Sequence, residues 1–265
     1  AKVEPMRPTL LFKASGWFPG QPALKRLGET LRPLADAWLP ASCALCSLTL
    51  SGPRAPGAGI CASCAKRLPG VDAQRCPVCA IRLPTTAQPQ APCADCVRSP
   101  PAFDQTIVLA DYAPPLDRLI VALKFGSDLP AAQALGRLLA ERARQQGCAL
   151  PGLLVPVPLA PRRLARRGYN QSERLARTLA GTLGLDLASQ GLLRTRETEP
   201  QSGLTLKARR HNLDDAFSAN RQFFNCDVGL VDDVMTSGAT LQVIAATLKQ
   251  AGARRVVNLV VARTP

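Results

Sequence analysis

A chain of 265 residues with 46% hydrophobic content can bury the core of one sizeable α/β domain and a smaller appendage, which excludes wholesale disorder. The net charge of +14 selects an anionic partner, on a nucleotide or a nucleic-acid backbone, although an arginine-rich genome leaves the same mark. No run approaches the roughly 18–20 apolar residues of a membrane span, and Lys2, Arg7 and Lys13 lead into no clean apolar segment with a cleavage site. Neither a span nor a signal peptide is therefore expected, and the cytoplasm is the expected location.

Residues 1–40 read as an N-terminal extension, partly disordered or helical. Four prolines precede position 25, and Leu24, Leu27, Leu31, Leu34 and Trp38 share one helical face. Residues 41–100 read as a small cysteine-rich domain with little hydrophobic periodicity, too poor in apolar residues to fold without a staple. Eight of the ten cysteines there form four C-x-x-C pairs: Cys43/Cys46, Cys61/Cys64, Cys76/Cys79 and Cys93/Cys96. Two such pairs supply the four thiolates of a tetrahedral Zn²⁺. The intervening gaps of 14, 11 and 13 residues suit two structural zinc ribbons in tandem, first pair with second and third with fourth. Spacing alone leaves interleaved pairing open, and a redox dithiol or an iron–sulfur cluster are the other readings. Basic residues are present (Arg54, Lys66, Arg67, Arg75, Arg82), but no aromatic residue is there to stack on bases.

From residue 101 the pattern changes to that of a single α/β domain running to 265. Thr106–Ala110 reads as a strand, and Leu116, Leu119, Ile120 and Leu123 fall at helical spacing. Residues 130–146 form an amphipathic helix stopped by Gly147, 153–157 a short aliphatic strand, and 171–183 another helix. The charged stretch 192–217 reads as a surface excursion or a mobile lid, since so long a loop is uncommon without a function. Residues 227–231 form a buried-type strand, 239–250 a helix ended by Gly252, and 255–261 the last strand. Strands alternating with helices predict a parallel sheet covered on both faces.

The segment GLVDDVMTSGATL, residues 229–241, carries the chemistry. An aliphatic strand delivers Asp232 and Asp233 to a loop, Met235–Thr240, whose backbone N–H groups and Thr236, Ser237 and Thr240 hydroxyls suit a phosphate. Gly238 permits close approach, and the helix starting near Ala239 presents its positive end. Two carboxylates would repel a second phosphate, yet they suit sugar hydroxyls or a metal ion. The combination fits a ribose 5-phosphate; Thr and Ser as simple helix caps are the competing reading.

This segment resembles the phosphoribosyl-pyrophosphate (PRPP) binding motif of type I phosphoribosyltransferases. VPVPLAPRRLARRGYNQSERLAR (residues 155–177), LKFGSD (123–128) and the cysteine-rich module ahead of them narrow the resemblance to the ComF family, over residues 41–263. Ser237 stands where many members have threonine, and it keeps the hydroxyl. The resemblance implies a type I phosphoribosyltransferase-like parallel sheet flanked by helices. It implies PRPP binding by Val231, Asp232, Asp233, Val234, Met235, Thr236, Ser237, Gly238, Ala239 and Thr240, with Asp232 and Asp233 as the catalytic pair. Candidates for the pyrophosphate and lid are Pro158, Arg162, Arg163, Arg166, Arg194, Gln201, Arg209 and Arg210, with Arg167 and Lys207 beside them. Tyr169, Asn170 and Gln171 belong to the signature without an assigned role, and His211, the one histidine, is read as incidental.

The implied activity is a Mg²⁺-dependent transfer of phosphoribosyl from PRPP to an unidentified acceptor, linked to DNA uptake and natural transformation. The second reading is a nucleic-acid-binding competence accessory that uses PRPP as a regulatory ligand without turnover. The expected partners are PRPP, an acceptor, single-stranded DNA with the uptake machinery, and a second copy of the chain.

Overall fold

The computed structural model describes residues 42–50, 59–125, 129–195 and 216–264, all of which fall in one compact unit, Ala41–Pro265. The helix expected over Leu24–Leu39 lies outside the described residues, as do Gln201, Lys207, Arg209, Arg210 and His211.

In chain order the strands are β1 (Gln105–Asp111), β2 (Leu153–Pro156), β3 (Asp186–Leu187), β4 (Leu192–Arg194), β5 (Phe217–Ala219), β6 (Asp227–Met235) and β7 (Arg255–Arg263). Five of them make one wholly parallel sheet in the order β1-β7-β6-β2-β3, while β4 and β5 pair antiparallel in a separate ribbon. The runs TIVLAD, GLV and VVNLVVA are nearly continuous in buried residues, as a sheet covered on both faces requires.

The helices are α1 (Ala62–Lys66), α2 (Ala94–Arg98), α3 (Leu116–Phe125), α4 (Leu129–Gln145), α5 (Pro161–Arg167), α6 (Gln171–Leu183) and α7 (Ala239–Gln250). One face of the sheet is covered by α3, α4 and α6 through Leu116, Ile120, Leu135, Leu139, Leu175 and Leu179. The other is covered by α7 and the β4–β5 ribbon through Leu241, Ile244, Leu248, Leu192 and Phe217. Each such leucine or isoleucine contributes about 1.5–3 kcal/mol on burial. Helices α4 and α6 meet closely at Gly136, where an added Cβ would lie 2.7 Å from Thr178.

The strand order fixes where a ligand can go. Adjacent strands β2 and β6 send their following helices to opposite faces, α6 to one and α7 to the other. The loops leaving their carboxyl ends therefore part, and a crevice opens between them.

The sheet elements match the sequence reading closely, with informative differences. Strand β6 runs to Met235 rather than stopping at Val231, so the acidic pair lies inside the strand. The reason is β7, which continues to Arg263 and supplies ladder partners as far as Met235. Strands β3, β4 and β5 were not anticipated. The ribbon pairs Arg194 with Phe217, so the two ends of the 192–217 excursion are held together at its root.

The cysteine segment protects the exposed edge of the sheet at β1, where an unpaired strand would invite association. Thr106 N–H donates to the Pro77 carbonyl at 3.0 Å and Asp111 N–H to that of Pro69 at 2.7 Å. The buried Asp111 carboxylate receives Arg75 at 2.6 Å on one oxygen and Arg82 on the other. Removing one charge from such a pair leaves the other buried and uncompensated. Asp111→Asn, which keeps the shape but strands the 8%-exposed Arg75, is expected to lower unfolding free energy by about 3 kcal/mol in urea titrations of the metal-loaded protein. A loss below about 1 kcal/mol would show that this contact does not hold the module to the sheet.

Candidate functional site

The crevice between β2 and β6 is a cleft of about 250 Å³. Its walls are Val157, Pro158 and Leu159 after β2, Arg163 and Arg167 of α5, Gln171 and Ser172 of α6, and Lys124 of α3. Arg194 of β4, Asp232 and Asp233 of β6, and Thr240 of α7 complete it. Four cationic side chains thus face two carboxylates in one small volume.

The acidic pair is tightly held. Asp232 Oδ1 accepts from Ser172 Oγ at 2.9 Å and from the Asp233 N–H at 2.9 Å. Asp233 is buried, and Lys124 Nζ lies 3.0 Å from its Oδ2. The Asp232 residue is half-buried at the cleft wall, with its carboxyl group enclosed on one side by Ser172 and Asp233. That enclosure, then the neighbouring Asp233 charge, push Asp232 well above the ordinary carboxylate range.

Behind the acids, the loop enters α7 through Gly238, whose φ of 78° is left-handed and whose added Cβ would lie 2.6 Å from Met235 Cε. Gly238 is the N-cap, so no side chain caps the helix from that position; the nearby Ser237 Oγ accepts from Ala239 N–H only at 3.4 Å. A Thr/Ser cap of the ordinary kind is therefore absent. The first turn of a twelve-residue helix keeps N–H donors directed at the loop, which suits an anion. Thr236 and Ser237 are exposed, while Val231, Met235 and Ala239 are buried in the core and could offer a ligand only their backbone.

The arginine-rich stretch sorts itself by helical phase. Arg163 and Arg167, four residues apart, share the face of α5 that lines the cleft, whereas Arg162 and Arg166 do not line it. Arg167 donates to Gln171 Oε1 and stands 5.5 Å from the centre of the Phe125 ring. Pro158 and Arg194 also line the cleft. Sequence reasoning gave no role to Lys124 and Ser172, although both lie in stretches it singled out. The signature residues have framework duties: Asn170 caps α6 at Ser172 N–H and donates to the Val157 carbonyl at 2.9 Å. Tyr169 donates its hydroxyl to the Leu123 carbonyl at 2.5 Å, tying α3, and hence Lys124, to the cleft wall.

The eight paired cysteines assemble as two groups of four, Cys43/Cys46/Cys61/Cys64 and Cys76/Cys79/Cys93/Cys96, with the sulfurs of each group within 4.8 Å of one another. The interleaved alternative is thereby set aside. The groups are one knuckle built twice. Cys43 N–H donates to the Leu48 carbonyl at 2.8 Å and Cys76 N–H to that of Ile81 at 2.9 Å. Ser47 and Ala80, each just past the second cysteine of its turn, are left-handed at φ 59° and 56°. Cys61 and Cys93 open α1 and α2, and their N–H groups donate to Cys43 and Cys76 Sγ at 3.4 and 3.2 Å.

A metal fits this donor set. Metal–sulfur bonds of about 2.3 Å in a tetrahedron place sulfurs about 3.8 Å apart, and Cys46–Cys61 and Cys79–Cys93 are separated by 3.8 and 3.7 Å. Burial alone would raise the Cys43 thiol, but N–H groups of Cys61 and Leu45 outweigh it and bring it down to about 6. The hydrogen bond with Cys61, burial and the other thiols push Cys64 up to about 12. Four thiolates at this separation need a cation between them.

A parallel sheet with an acidic pair and a glycine-entered loop at its switch point, edged by twin four-cysteine knuckles, defines a phosphoribosyltransferase-like α/β protein with a cysteine-rich module. Relatives give that class a family. The chain is 37% identical to the DNA utilization protein YhgH of Salmonella typhimurium over 82% of its own length and 95% of the relative's. It is 39% identical to the Escherichia coli K12 protein of the same name over the same shares, and 33% identical to competence protein F of Haemophilus influenzae over 75% and 87%. The chain belongs to this ComF/YhgH family. No protein-family model matches it. A loose likeness links it to the allosteric regulatory enzyme of purine biosynthesis, at 19% identity over 53% of this chain and 29% of that one, with a TM-score of 0.36. Among the described residues, no helix is long and apolar enough to cross a membrane.

The strained acid at Asp232 has a consequence for stability. Its raised pKa means that the folded state binds the proton more tightly than the unfolded chain, whose carboxylate titrates near about 3.9. Stability from this group is full below that value and falls as pH rises toward the folded pKa. Asp232→Asn, which can still accept from Ser172 and the Asp233 N–H, is expected to be more stable than wild type at neutral pH. That advantage should fade on acidification below about pH 4, in urea titrations across the range. A variant less stable than wild type at neutral pH would contradict the assigned cost.

Proposed function

We propose that this protein binds PRPP in the switch-point cleft and transfers its phosphoribosyl group to an acceptor. The observation that carries the reading is the meeting, in one cleft, of a held acidic pair, an uncapped helix N-terminus and a wall of Lys124, Arg163, Arg167 and Arg194. In this reading the Thr236–Thr240 loop takes the 5-phosphate, with Val231, Val234, Met235 and Ala239 shaping the backbone around it. Asp232 and Asp233 accept from the ribose 2- and 3-hydroxyls. Arg163, Arg167 and Arg194, with Pro158 closing the floor, face the pyrophosphate, and fork-shaped guanidinium groups suit its paired oxygens.

The chemistry asks for positioning and charge rather than a covalent partner. The C1–O bond to pyrophosphate breaks with its electron pair on the departing oxygen, the acceptor's lone pair forms the new bond at C1, and the acceptor's proton leaves to solvent. The carboxylates orient the sugar and oppose the positive charge that develops on its ring, while the arginines stabilise the leaving group. Mg²⁺ supplies further neutralisation of the pyrophosphate when bound, and Asp232, whose charge the cleft disfavours, is the residue whose carboxylate such an ion would complement. Zn²⁺ is the proposed occupant of both four-cysteine groups, as a structural ion with no open position.

Two exposed arginines outside the cleft, Arg162 and Arg166, and the names of the relatives favour a second reading, a nucleic-acid-binding accessory that uses PRPP without turnover. A salt-dependent gel shift with single-stranded DNA, run with and without PRPP, together with a pyrophosphate-release screen over nucleobases, amines and glutamine, separates the two. DNA binding without pyrophosphate release selects the second.

The double variant Asp232→Asn, Asp233→Asn is expected to abolish PRPP binding in calorimetry with Mg²⁺ present while the fold is kept. Wild-type affinity in that variant would overturn the assignment. The metal proposal predicts two equivalents of Zn²⁺ per chain by elemental analysis, and Co²⁺ replacement with a tetrahedral thiolate spectrum at both sites. One equivalent or none would contradict it.

A further inference from the structure

Arg263, the last residue of β7, is buried at 8% exposure and spans two parts of the molecule that the sequence keeps far apart. Its Nε donates to the Cys79 carbonyl at 3.2 Å, on the first turn of the second four-cysteine knuckle. Its Nη1 donates to the Thr236 carbonyl, and lies 3.4 Å from that of Met235, at the entry to the anion loop. The same nitrogen donates to the Thr264 carbonyl at 2.7 Å, which pins the end of the strand. One rigid guanidinium thus joins a metal-ligand turn to the backbone of the ligand loop.

Two independent contacts run in parallel with it. Val78 and Cys79 pack against the apolar cluster containing Met235 and Ala239, the residues flanking the loop. Ala102, just beyond the same knuckle, donates its N–H to Gln242 Oε1 at 2.7 Å, in the first turn of α7. Among the described residues the first knuckle shows no such route: Leu45 and Ile60 beside it pack against the cluster on the opposite face of the sheet.

We infer that the second four-cysteine knuckle, acting through Arg263, holds the anion loop in its binding shape, so that ligand affinity depends on this knuckle and not on the first. Arg263 is a positioning residue and touches no ligand. The inference rests on the reading of Met235–Thr240 as the phosphate loop. The physical basis is ordinary. The guanidinium fixes the Cys79 carbonyl through Nε and the Thr236 carbonyl through Nη1 with charge-assisted bonds, and a loop that presents N–H groups to an anion must keep its carbonyls turned away. Because coupling between sites is reciprocal, ligand in the cleft should also slow metal loss from the second knuckle and leave the first unchanged.

The experiment uses the full-length, zinc-loaded chain as wild type, Arg263→Lys and Arg263→Met. Affinity for ribose 5-phosphate is read by calorimetry, and amide exchange of residues 235–239 is read with zinc content as a control on the fold. Arg263→Met is expected to keep its zinc, to exchange faster at residues 235–239, and to bind ribose 5-phosphate about tenfold more weakly, the effect of one lost charge-assisted hydrogen bond. Arg263→Lys, which keeps the charge without the fork, should fall between. Zinc-replete Arg263→Met with wild-type exchange would overturn the inference, as would wild-type affinity. Should wild type itself bind no ribose 5-phosphate, the phosphate-loop reading fails, and unchanged exchange would still overturn the strut separately. If Arg263→Met does not fold, the test passes to Arg263→Lys and to zinc-release kinetics of wild type with and without ribose 5-phosphate. Release from both knuckles equally affected, or neither, overturns the inference.

Discussion

Two adjacent carboxylates at the end of a buried parallel strand repel one another, and the architecture around the cleft is organised about that repulsion. Ser172 and the Asp233 N–H stabilise one acid, and Lys124 compensates the other at 3.0 Å. Even so, Asp232 is left with a carboxyl group that the protein would rather keep neutral. A stable fold has no use for such a pair, since one neutral residue would relieve the strain. In the proposed function, a site for a hydroxyl-bearing sugar that becomes partly cationic has every use for it. The parting of the connections after the parallel strands β2 and β6 supplies the opening, and the arginines of α5 supply the opposite charge.

Much of this was legible in the sequence, and what was not follows from physical causes. The helices 171–183 and 239–250 are bounded by glycine or polar stops, so their extents could be read directly. The aliphatic runs of β1, β6 and β7 marked the strands but not how far each continues along its neighbour. Strands β3, β4 and β5 are two or three residues long, and only their tertiary partners make them strands. The choice of Arg163 and Arg167 over Arg162 and Arg166 depends on the phase of α5, which is set by Pro161 at its start and Gly168 at its end. Arg263 gave no local signal at all. It reads as a basic residue closing a strand, and its partner Cys79 is 184 positions away.

The cysteine module is joined to the cleft loop by Arg263 and to α7 by the Ala102–Gln242 hydrogen bond. Its two knuckles repeat one design down to the left-handed residue after each turn, yet they sit against opposite faces of the sheet. Pro69, between the two knuckles, and Pro77, inside the Cys76–Cys79 turn, close the open edge of the sheet at β1, and Asp111 locks that seam between two arginines. A segment too poor in apolar residues to fold on burial alone thus has two four-cysteine groups that fit a metal, and the sheet for its floor.

The central claim is that the acids recognise sugar hydroxyls while the loop holds the phosphate. Calorimetric affinities of the wild-type protein for ribose 5-phosphate and 2-deoxyribose 5-phosphate test it most directly. Loss of the 2-hydroxyl leaves a buried acceptor unpaired and is expected to weaken binding about tenfold. Equal affinities for the two sugars would contradict the claim.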